Sequence, residues 1–495
     1  MKRSLAKGAS WTAILQVSQR GLEILFTAIL ARLLEPADFG VVTAGLLLVQ
    51  FAQLFVEIGI GATVIQMPRL DLRDIRAANT LVVLSALFYF LVVEALAPSF
   101  AAFMQIEQVT QVVRILGFIF LIQAGGVVSE SLLLRRLEAR TVAALQLGAK
   151  IGGTGLVGIP LALLGWGYWA LVVALLTEAF FRAVAAFAIV RPPVRPLLKR
   201  ELTNRLLRSG SGYSLSRLLN FAATRADNLL VGRYLSAAAL GLYSRAYALM
   251  SAPADLYGTV ADRVVFPAMA LIQDDRTRLH RAFLEGTELT ALVGISASAL
   301  LYLLSNQIID LVLGDKWHAV IVPFGILAAA TYFRLGAKVA GSVQRARRAL
   351  RAMIFTQALY ALLVVGGCLA SYRYGIVWVS AAVSASVVIF YIVIITSAAR
   401  LVDASTSQFA KAHLPGIKLG LLSATLCWVT LRLGDYLRLD TLPMLILEGC
   451  ILGTAALGIS LLRPAWLIGK LGSASLGAIQ ARAVVLFSRP KPLGD

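Results

Sequence analysis

The chain has 495 residues, of which 59% are hydrophobic and only 15% are charged. A soluble protein of this length needs far more polar surface, so this composition argues against a soluble enzyme and for a protein embedded in lipid. The formal net charge of +20 would suggest a nucleic-acid partner in a soluble protein, but here most of the basic residues lie in short segments between apolar runs, as in membrane proteins.

Apolar runs long enough to cross a bilayer recur along the whole chain. A transmembrane helix needs about 20 apolar residues, and by this measure we predict an all-α polytopic membrane protein with about fourteen such helices. The first run contains Arg20 and Glu23 and is followed by no small-residue cleavage site, so we do not interpret it as a cleavable signal peptide. The predicted spans are 11–33, 39–65, 77–97, 112–134, 141–164, 168–190, 210–235, 239–267, 282–305, 319–341, 352–372, 375–398, 414–432 and 441–462.

Lys and Arg are concentrated near the two termini and in every second loop. This positive-inside bias predicts that both termini lie in the cytoplasm. The longest connection is the basic segment 191–209, which we interpret either as an amphipathic helix lying on anionic lipid or as a plain linker. It would separate an N-terminal six-helix bundle (1–190) from a second six-helix bundle (210–400), which two further spans (413–462) and a cytoplasmic tail (463–495) follow.

An internal repeat supports this division. At a constant offset of 201 residues, Arg32 corresponds to Arg233 and Gly40 corresponds to Gly241. Each arginine ends one predicted span and each glycine begins the next, so the matches fall in the first hairpin of each bundle. Transporters often consist of two such halves with the substrate bound between them, although chance similarity is the alternative where the identities are so few.

Several charged residues lie inside the predicted spans, where each costs roughly 2.5–3.5 kcal/mol even on the mildest scale. On the first span, Arg20 and Glu23 share one helical face with Gln16 and Thr27. The deep basic residues outnumber plausible acidic partners, which favours an anionic substrate. The alternative is structural ion pairing, for example of Glu23 with Arg20 or of Asp227 with a neighbour. The candidate binding residues are Arg20, Lys150, Arg217, Arg225 and Arg334.

The cysteines and histidines predict neither a metal site nor a cofactor. The three cysteines lie in apolar runs without ligand spacing: Cys368, Cys427 and Cys450. The three histidines lie in or near predicted loops and far apart in sequence: His280, His318 and His413.

Two regions carry short motifs of a kind found in a known family. Within 225–256, RADNLLVGRYLSAAALGLYSRAYALMSAPADL, they are Asp227–Leu230, Gly232–Leu235, Ala239–Tyr243, Ala246–Tyr247 and Pro253. In the N-terminal hairpin they are Ala31–Leu34, Pro36–Gly40 and Glu57–Gly59 with Gly61. Together with the chain length and the repeat, these motifs resemble the polysaccharide transporter family of the multidrug/oligosaccharidyl-lipid/polysaccharide exporter superfamily. The resemblance covers most of the chain and thins beyond about residue 400.

The resemblance implies a Wzx-type flippase, which moves an undecaprenyl-diphosphate-linked oligosaccharide across the bacterial inner membrane for exopolysaccharide, capsule or O-antigen synthesis. It also implies two helix bundles that form a V around a central cationic cavity and rock between inward-open and outward-open states. A polysaccharide polymerase and a chain-length regulator are then expected partners. Independently of the resemblance, a compact diphosphate is best held by arginine, which agrees with the buried basic residues.

The resemblance further implies that a proton or sodium gradient drives the cycle. Acidic residues within the spans are candidates for binding the coupling ion, although pairing with nearby arginines explains them equally well. These residues are Glu57, Asp255, Asp262 and Glu23.

Three other functions remain open at this stage. A multidrug antiporter of the same superfamily would need an acidic and aromatic cavity for cationic drugs, which the excess of basic residues disfavours. A polysaccharide polymerase or a lipid-linked glycosyltransferase would need a large external loop or an acidic metal site, and the short loops offer neither. A lipid II flippase shares the span count and the substrate chemistry.

Overall fold

A computed structural model describes residues 2–56, 60–67, 70–198, 214–260 and 265–437, together with five single positions between 441 and 451. Within this part of the chain the regular structure is helical and no strand occurs. The α-helices are α1 (Lys2–Leu33), α2 (Pro36–Val56), α3 (Ile60–Gln66), α4 (Leu72–Met104), α5 (Val109–Arg135), α6 (Ala139–Lys150), α7 (Ile159–Leu163), α8 (Tyr168–Val190), α9 (Ser214–Tyr234), α10 (Ala237–Val260), α11 (Phe266–Leu271), α12 (Arg276–Leu303), α13 (Ser305–Val312), α14 (Ile321–Ala329), α15 (Thr331–Ala346), α16 (Leu350–Ser371), α17 (Ile376–Leu401) and α18 (Thr406–Tyr436). A π-helix (Ile151–Gly158) joins α6 to α7, and two 3-10 helices span Asp315–Val320 and Tyr372–Tyr374.

Ten helical segments among the described residues are long and apolar enough to cross a membrane. Their outward faces carry large apolar side chains, such as Phe88 and Leu91 of α4, which are 60% and 56% exposed and would contact lipid. Helices α1, α9 and α10 are also long but fall outside the ten, and they carry the charged candidates Arg20, Arg225 and Asp255 respectively. An all-helical multi-pass membrane protein is therefore confirmed, whereas the total of fourteen spans stays a prediction. The predicted span 441–462 lies almost wholly outside the described residues.

By its residue contacts the chain divides into two compact units. Unit 1 comprises Met1–Arg245, Val312–Val320 and Ala361–Val379, and unit 2 comprises Ala246–Leu311, Ile321–Tyr360 and the chain from Ser380 onwards. The predicted division of the chain at 191–209 is based on the sequence and its repeat rather than on residue contacts, and it stays a prediction.

In unit 1, helices α4, α5 and α8 pack side by side, and the π-helix packs on α8. A Cβ atom on Gly153 of the π-helix would lie 2.5 Å from the Glu178 nitrogen, so glycine here allows the two backbones to approach closely. The first residues of the predicted linker lie along the start of α4. Arg76 Nε donates to the Arg195 carbonyl at 2.9 Å, and Asn79 Nδ2 donates to the Pro193 carbonyl at 3.0 Å.

The internal repeat is visible in the helix ends of unit 1. Helix α1 ends at Leu33 and α2 begins at Pro36, whereas α9 ends at Tyr234 and α10 begins at Ala237, which is the same offset of 201 residues. The two hairpins also touch, because the Thr43 hydroxyl donates to the Ser244 hydroxyl at 3.4 Å across that offset. The predicted correspondence of the two hairpins is therefore confirmed.

In unit 2, helices α12 and α18 lie against each other along their length. Gly416 and Gly420 of α18 lie against Ala291 and Ile295 of α12, so small residues again permit close packing. Helix α18 begins earlier than the predicted span 414–432, because Ser405 and Gln408 form a capping box at its first turn.

Candidate functional site

On α1, the Arg20 Nη1 lies 2.9 Å from the Glu23 Oε2. The two residues are one helical turn apart, so the pair forms within a single helix without help from packing. Their side chains are 41% and 44% exposed, and they therefore remain accessible to a polar ligand. The ion pair that the sequence analysis named as the structural alternative is thus present, and it leaves substrate binding by Arg20 as a prediction.

Lys150 ends α6 and immediately precedes the π-helix. Its Nζ lies 3.3 Å from the Glu178 Oε2, and the Thr154 hydroxyl donates to the same oxygen at 3.5 Å. A π-helical turn inserts an extra residue, a feature that is frequent at functional sites. Here Lys150 comes before this turn and Thr154 lies within it, so both side chains reach one carboxylate on α8. The sequence analysis missed Glu178, although an acidic residue inside an apolar run was the available signal.

A second pair joins α8 to α5 in unit 1, where Arg182 Nε lies 3.0 Å from the Glu130 Oε1. Arg182 and Glu178 are four residues apart and share one face of α8. Arg182, which lies within the predicted span 168–190, is therefore paired inside the protein.

Helix α9 carries two of the predicted binding residues. Arg225 is half-buried, and Arg217 lies on the same helix with its side chain outside the described part of the structure. The neighbouring Asp227 is only 1% exposed and accepts a hydrogen bond from the Tyr243 hydroxyl at 2.8 Å. The Asn228 amide nitrogen also donates to Asp227, at 3.0 Å. Two of the motifs noted in the sequence therefore meet at Asp227, through hydrogen bonds from uncharged donors, and ion pairing of Asp227 with a neighbour stays a prediction.

In unit 2, Arg334 of α15 lies against Tyr247 of α10. The Arg334 Nη1 donates to the Tyr247 hydroxyl at 3.1 Å, and its Cζ lies 5.0 Å from the centre of the tyrosine ring. Asp255 is exposed, with the Ser251 hydroxyl 3.4 Å from its Oδ2. The other two acidic candidates, Glu57 and Asp262, lie outside the described residues.

A cluster that the sequence analysis missed joins three helices of unit 2. The Tyr332 and Tyr391 hydroxyls lie 2.7 Å apart, and both contact the His413 Nε2. The His413 Nδ1 lies 2.7 Å from the Phe409 carbonyl oxygen, which fixes the imidazole with its proton on Nδ1. His413 was expected in or near a loop, but it lies within α18 because the Ser405 capping box starts that helix early.

Among the residues that the structure describes, no group of three or more His, Cys, Asp or Glu side chains is placed to hold a metal ion. Cys368 and Cys427 are buried thiols.

The fold is similar to that of solved membrane transporters. A structure of the lipid II flippase MurJ in an inward closed conformation superposes with a TM-score of 0.67, over 96% of this chain and 99% of that protein, at 13% identity. An inward-facing multidrug resistance transporter of the MATE family superposes with a TM-score of 0.61, over 79% of this chain and 98% of that protein, at 16% identity. At such identities the likeness shows the fold alone.

Sequence relatives carry names from polysaccharide biosynthesis. The succinoglycan biosynthesis transport protein ExoT of Rhizobium meliloti is 26% identical over 66% of this chain and 66% of its own length, so the match spans just under two thirds of that relative. The teichuronic acid biosynthesis protein TuaB of Bacillus subtilis is 26% identical over 70% of this chain and 72% of its own length. The lipopolysaccharide biosynthesis protein WzxC of Escherichia coli is 25% identical over 70% of this chain and 71% of its own length.

The family described as "Polysaccharide biosynthesis protein" matches residues 29–322, which is more than half of the chain. This range includes the turn of the first hairpin, the whole second hairpin and the motifs around Asp227 and Tyr243. The multi-pass helical fold and this match agree with one another, and the protein belongs to the polysaccharide biosynthesis protein family.

Proposed function

We propose that the protein is a flippase that moves an undecaprenyl-diphosphate-linked oligosaccharide from the cytoplasmic to the periplasmic leaflet of a bacterial inner membrane. Both termini would lie in the cytoplasm. The observation that carries the proposal is the similarity to ExoT, whose name assigns it to transport in succinoglycan biosynthesis. A polysaccharide polymerase and a chain-length regulator would act on the product at the outer face.

The chemistry of this substrate suits the charges of the chain. Its diphosphate needs cationic groups, its sugars need a polar path, and its lipid tail can stay in the bilayer. The residues proposed to hold the diphosphate are Arg20, Lys150, Arg217, Arg225 and Arg334. Pairing with a glutamate balances two of these charges while no substrate is bound, that of Lys150 with Glu178 and that of Arg20 with Glu23. A diphosphate would then replace the carboxylate as the partner of the cation.

The proposed transport cycle is alternating access by two six-helix bundles around a cavity, as the family resemblance implies. A proton or sodium ion would bind at one of the acidic candidates, Glu57, Asp255, Asp262 or Glu23, or these residues would pair helices. Glu23 pairs with Arg20 when it is ionised and would release Arg20 when it binds a proton. This is one way in which an ion gradient could act on the substrate site.

The test is deletion of the gene in its native host, followed by complementation. The deletion strain should lose surface or secreted polysaccharide and should accumulate lipid-linked repeat units on the cytoplasmic side of the inner membrane. Normal polysaccharide output in a strain without a redundant exporter would refute the proposal.

Two further measurements separate the rival functions. Increased sensitivity of the deletion strain to a panel of cationic drugs, with normal polysaccharide, would indicate a multidrug antiporter. If depletion of the protein causes lysis and accumulation of the cell-wall precursor, this would indicate a lipid II flippase.

A further inference from the structure

The segment Val312–Val320 runs from the end of α13 to the start of α14 and carries a fully buried tryptophan. The chain on both sides of it, Ala246–Leu311 and Ile321–Tyr360, belongs to unit 2, but the segment itself packs in unit 1. Trp317 lies in its 3-10 helix and is among the largest fully buried side chains of the described residues. The chain therefore leaves unit 2 for a short stretch, buries one large side chain in unit 1 and returns.

Trp317 docks on the last turn of α1. Its Nε1 donates to the Ala31 carbonyl oxygen at 2.8 Å, and its ring meets the Phe39 ring edge to face, with the ring centres 5.3 Å apart. The carbonyl groups in the last turn of a helix have no partner within the helix, so the indole supplies a donor that α1 itself lacks. Lys316 adds an exposed ion pair, with its Nζ 2.7 Å from the Glu35 Oε1.

The corresponding position of the second repeat is covered as well, but by a side chain from within unit 1. At the offset of 201 residues Ala31 corresponds to Gly232, and a Cβ atom on Gly232 would overlap the methyl group of Met104 at the end of α4. Met104 is fully buried, and the chain on both sides of it belongs to unit 1. Of the two covering side chains, Trp317 is therefore the one whose flanking chain belongs to the other unit.

We infer that the docking of Trp317 on the end of α1 is released and re-formed in the transport cycle, so that Val312–Val320 acts as a latch on the first hairpin. The inference rests on the proposed function and adds to it an element that links unit 2 to the hairpin. Because the latch continues into unit 2 at both ends, a movement of unit 2 against unit 1 pulls on it directly.

The contacts of the latch suit its release. The pair between Lys316 and Glu35 is exposed, and exposed ion pairs contribute little to stability. In the proposed topology the end of α1 lies at the periplasmic surface, where water can replace the hydrogen bond between the indole and the Ala31 carbonyl group. Tryptophan is also a side chain that is favoured at a membrane surface, with its ring among the lipid headgroups and its N–H in contact with water.

The test joins the latch to the hairpin with a short, membrane-permeant crosslinker that carries two methanethiosulfonate groups. Cysteines replace both partners of the exposed ion pair, Lys316→Cys/Glu35→Cys, in the full-length protein without its three native cysteines, expressed in the deletion strain. The crosslink should reduce polysaccharide export to near the level of the deletion strain, and a reductant should restore it. Unimpaired export by the fully crosslinked protein would overturn the inference, because the latch would then never have to leave α1.

The matched control is an exposed ion pair within unit 2. The Arg276 Nη1 lies 3.2 Å from the Asp403 Oδ2, and neither residue has a proposed role in transport. Crosslinked Arg276→Cys/Asp403→Cys should export normally, as should each single-cysteine variant of the latch pair after the same treatment. An equal loss of export in the control would also overturn the inference, because a crosslink at an unrelated position would then have the same effect.

Trp317→Phe tests whether the tryptophan holds the latch. Phenylalanine keeps an aromatic ring but removes the donor to the Ala31 carbonyl group. Hydrogen exchange of the amides in Val312–Val320, measured by mass spectrometry on the full-length protein in nanodiscs, should become about three- to tenfold faster, as expected from the loss of one hydrogen bond. Exchange in α18 should stay unchanged, which shows that the variant is folded. Equal exchange of the latch in the variant and the wild type would exclude Trp317 as its anchor.

The outcomes separate the inference from the proposed function. If export depends on the protein but is indifferent to the crosslink, the latch is excluded and the flippase proposal stands. If polysaccharide output does not depend on the protein at all, the flippase proposal is excluded. The exchange measurement needs no substrate, so it still decides whether Trp317 holds the segment on α1.

Discussion

Gly40 and Gly241 face each other across the two repeats in unit 1, and each lies under a carbonyl group of the other hairpin. A Cβ atom on Gly40 would overlap the Ala237 carbonyl oxygen, and a Cβ atom on Gly241 would overlap the Pro36 carbonyl oxygen. Ala237 and Pro36 are themselves related by the offset of 201 residues that separates Thr43 from Ser244. The contact is therefore isologous, with a local twofold relation between the two hairpins.

A side chain at Gly40 should prevent this contact. Gly40→Val places atoms where the Ala237 backbone lies, and backbone cannot move aside as a flexible side chain can. If this contact between the hairpins is needed in the transport cycle, polysaccharide export should fall by roughly tenfold or more, the equivalent of more than about 1.4 kcal/mol. Export and the amount of inserted protein are measured together in the deletion strain.

Gly125→Ala is the control, because a Cβ atom on Gly125 meets nothing within 4 Å. It should export normally. Normal export by Gly40→Val at wild-type protein levels would show that the glycine contact is dispensable for transport.

A disulfide across the same contact should stop transport reversibly. The Thr43 and Ser244 hydroxyl oxygens are 3.4 Å apart, which is close enough for cysteines at these positions to reach the Cβ separation of about 3.5–4.5 Å that a disulfide needs. Oxidation of Thr43→Cys/Ser244→Cys, with the three native cysteines replaced, should block export, and a reductant should restore it. The single-cysteine variants are the controls. Unimpaired export by the fully oxidised protein would mean that the hairpins stay together throughout the cycle.

The repeat and the helical fold could be predicted from sequence because both depend on local patterns. Apolar length indicates a span wherever it occurs, and the arginine and glycine at the ends of the hairpins align without any knowledge of packing. The pair between Arg20 and Glu23 was predictable for the same reason, since a spacing of three residues brings the groups together on any helix. By contrast, boundaries depended on capping, which moved the start of α18 ahead of His413.

The partners of Lys150 could not be predicted, because they depend on which helices pack together. Nothing in the sequence places α6 beside α8, or indicates that a π-helix follows Lys150 and brings Thr154 to the same carboxylate. The pair between Arg182 and Glu130 was missed for the same reason. Counting basic against acidic residues therefore overstated the number of cations that lack a partner.

Variants of Lys150 and Glu178 should separate the structural role of this pair from its proposed role in binding the diphosphate. Among the described residues, Lys150→Gln leaves the Glu178 carboxylate with the Thr154 hydroxyl as its one remaining partner. A fully buried charge that loses its partner costs about 3–5 kcal/mol, and Glu178, which is 26% exposed, should lose less than this, but enough for less protein to accumulate. The double variant Lys150→Gln/Glu178→Gln removes both charges and should restore the amount of protein. Export should stay low, because the cation proposed to hold the diphosphate is still missing.

The measurement is quantitative immunoblotting of membranes beside assay of secreted polysaccharide. Glu178→Gln alone is the control, since it keeps Lys150. Full export by the double variant would assign the pair to folding and remove Lys150 from the binding site.

The hydrogen bond between Tyr243 and Asp227 should contribute mainly to stability. Tyr243→Phe removes the hydroxyl that donates to the buried Asp227 at 2.8 Å and leaves a carboxylate oxygen without that donor, which costs about 1–3 kcal/mol. The melting temperature of the detergent-solubilised protein should fall. Tyr234→Phe is the control, because Tyr234 is 45% exposed and stacks on Tyr372 by its ring, which phenylalanine retains. Equal melting temperatures for the two variants would contradict the assignment.

Arg217 and Arg225 both belong to α9, and their spacing of eight residues predicts that they share one helical face, about 12 Å apart along the axis. Neutralising both to glutamine should abolish export while the protein still inserts, because the proposed diphosphate site loses two of its cations. Replacement of both by lysine should restore export only in part, since an ammonium group cannot form the paired hydrogen bonds of a guanidinium.

A matched control lies on the same helix at Arg233, whose guanidinium carbon lies 5.4 Å from the centre of the Phe103 ring and which has no proposed substrate contact. Arg233→Gln should export almost normally, so the comparison separates the loss of any basic residue on α9 from the loss of these two. A structural role for Arg217 and Arg225 predicts a different result, namely less inserted protein with export reduced in proportion. Export at wild-type levels by the double glutamine variant would exclude both roles and leave Arg20, Lys150 and Arg334 as the residues proposed to hold the diphosphate.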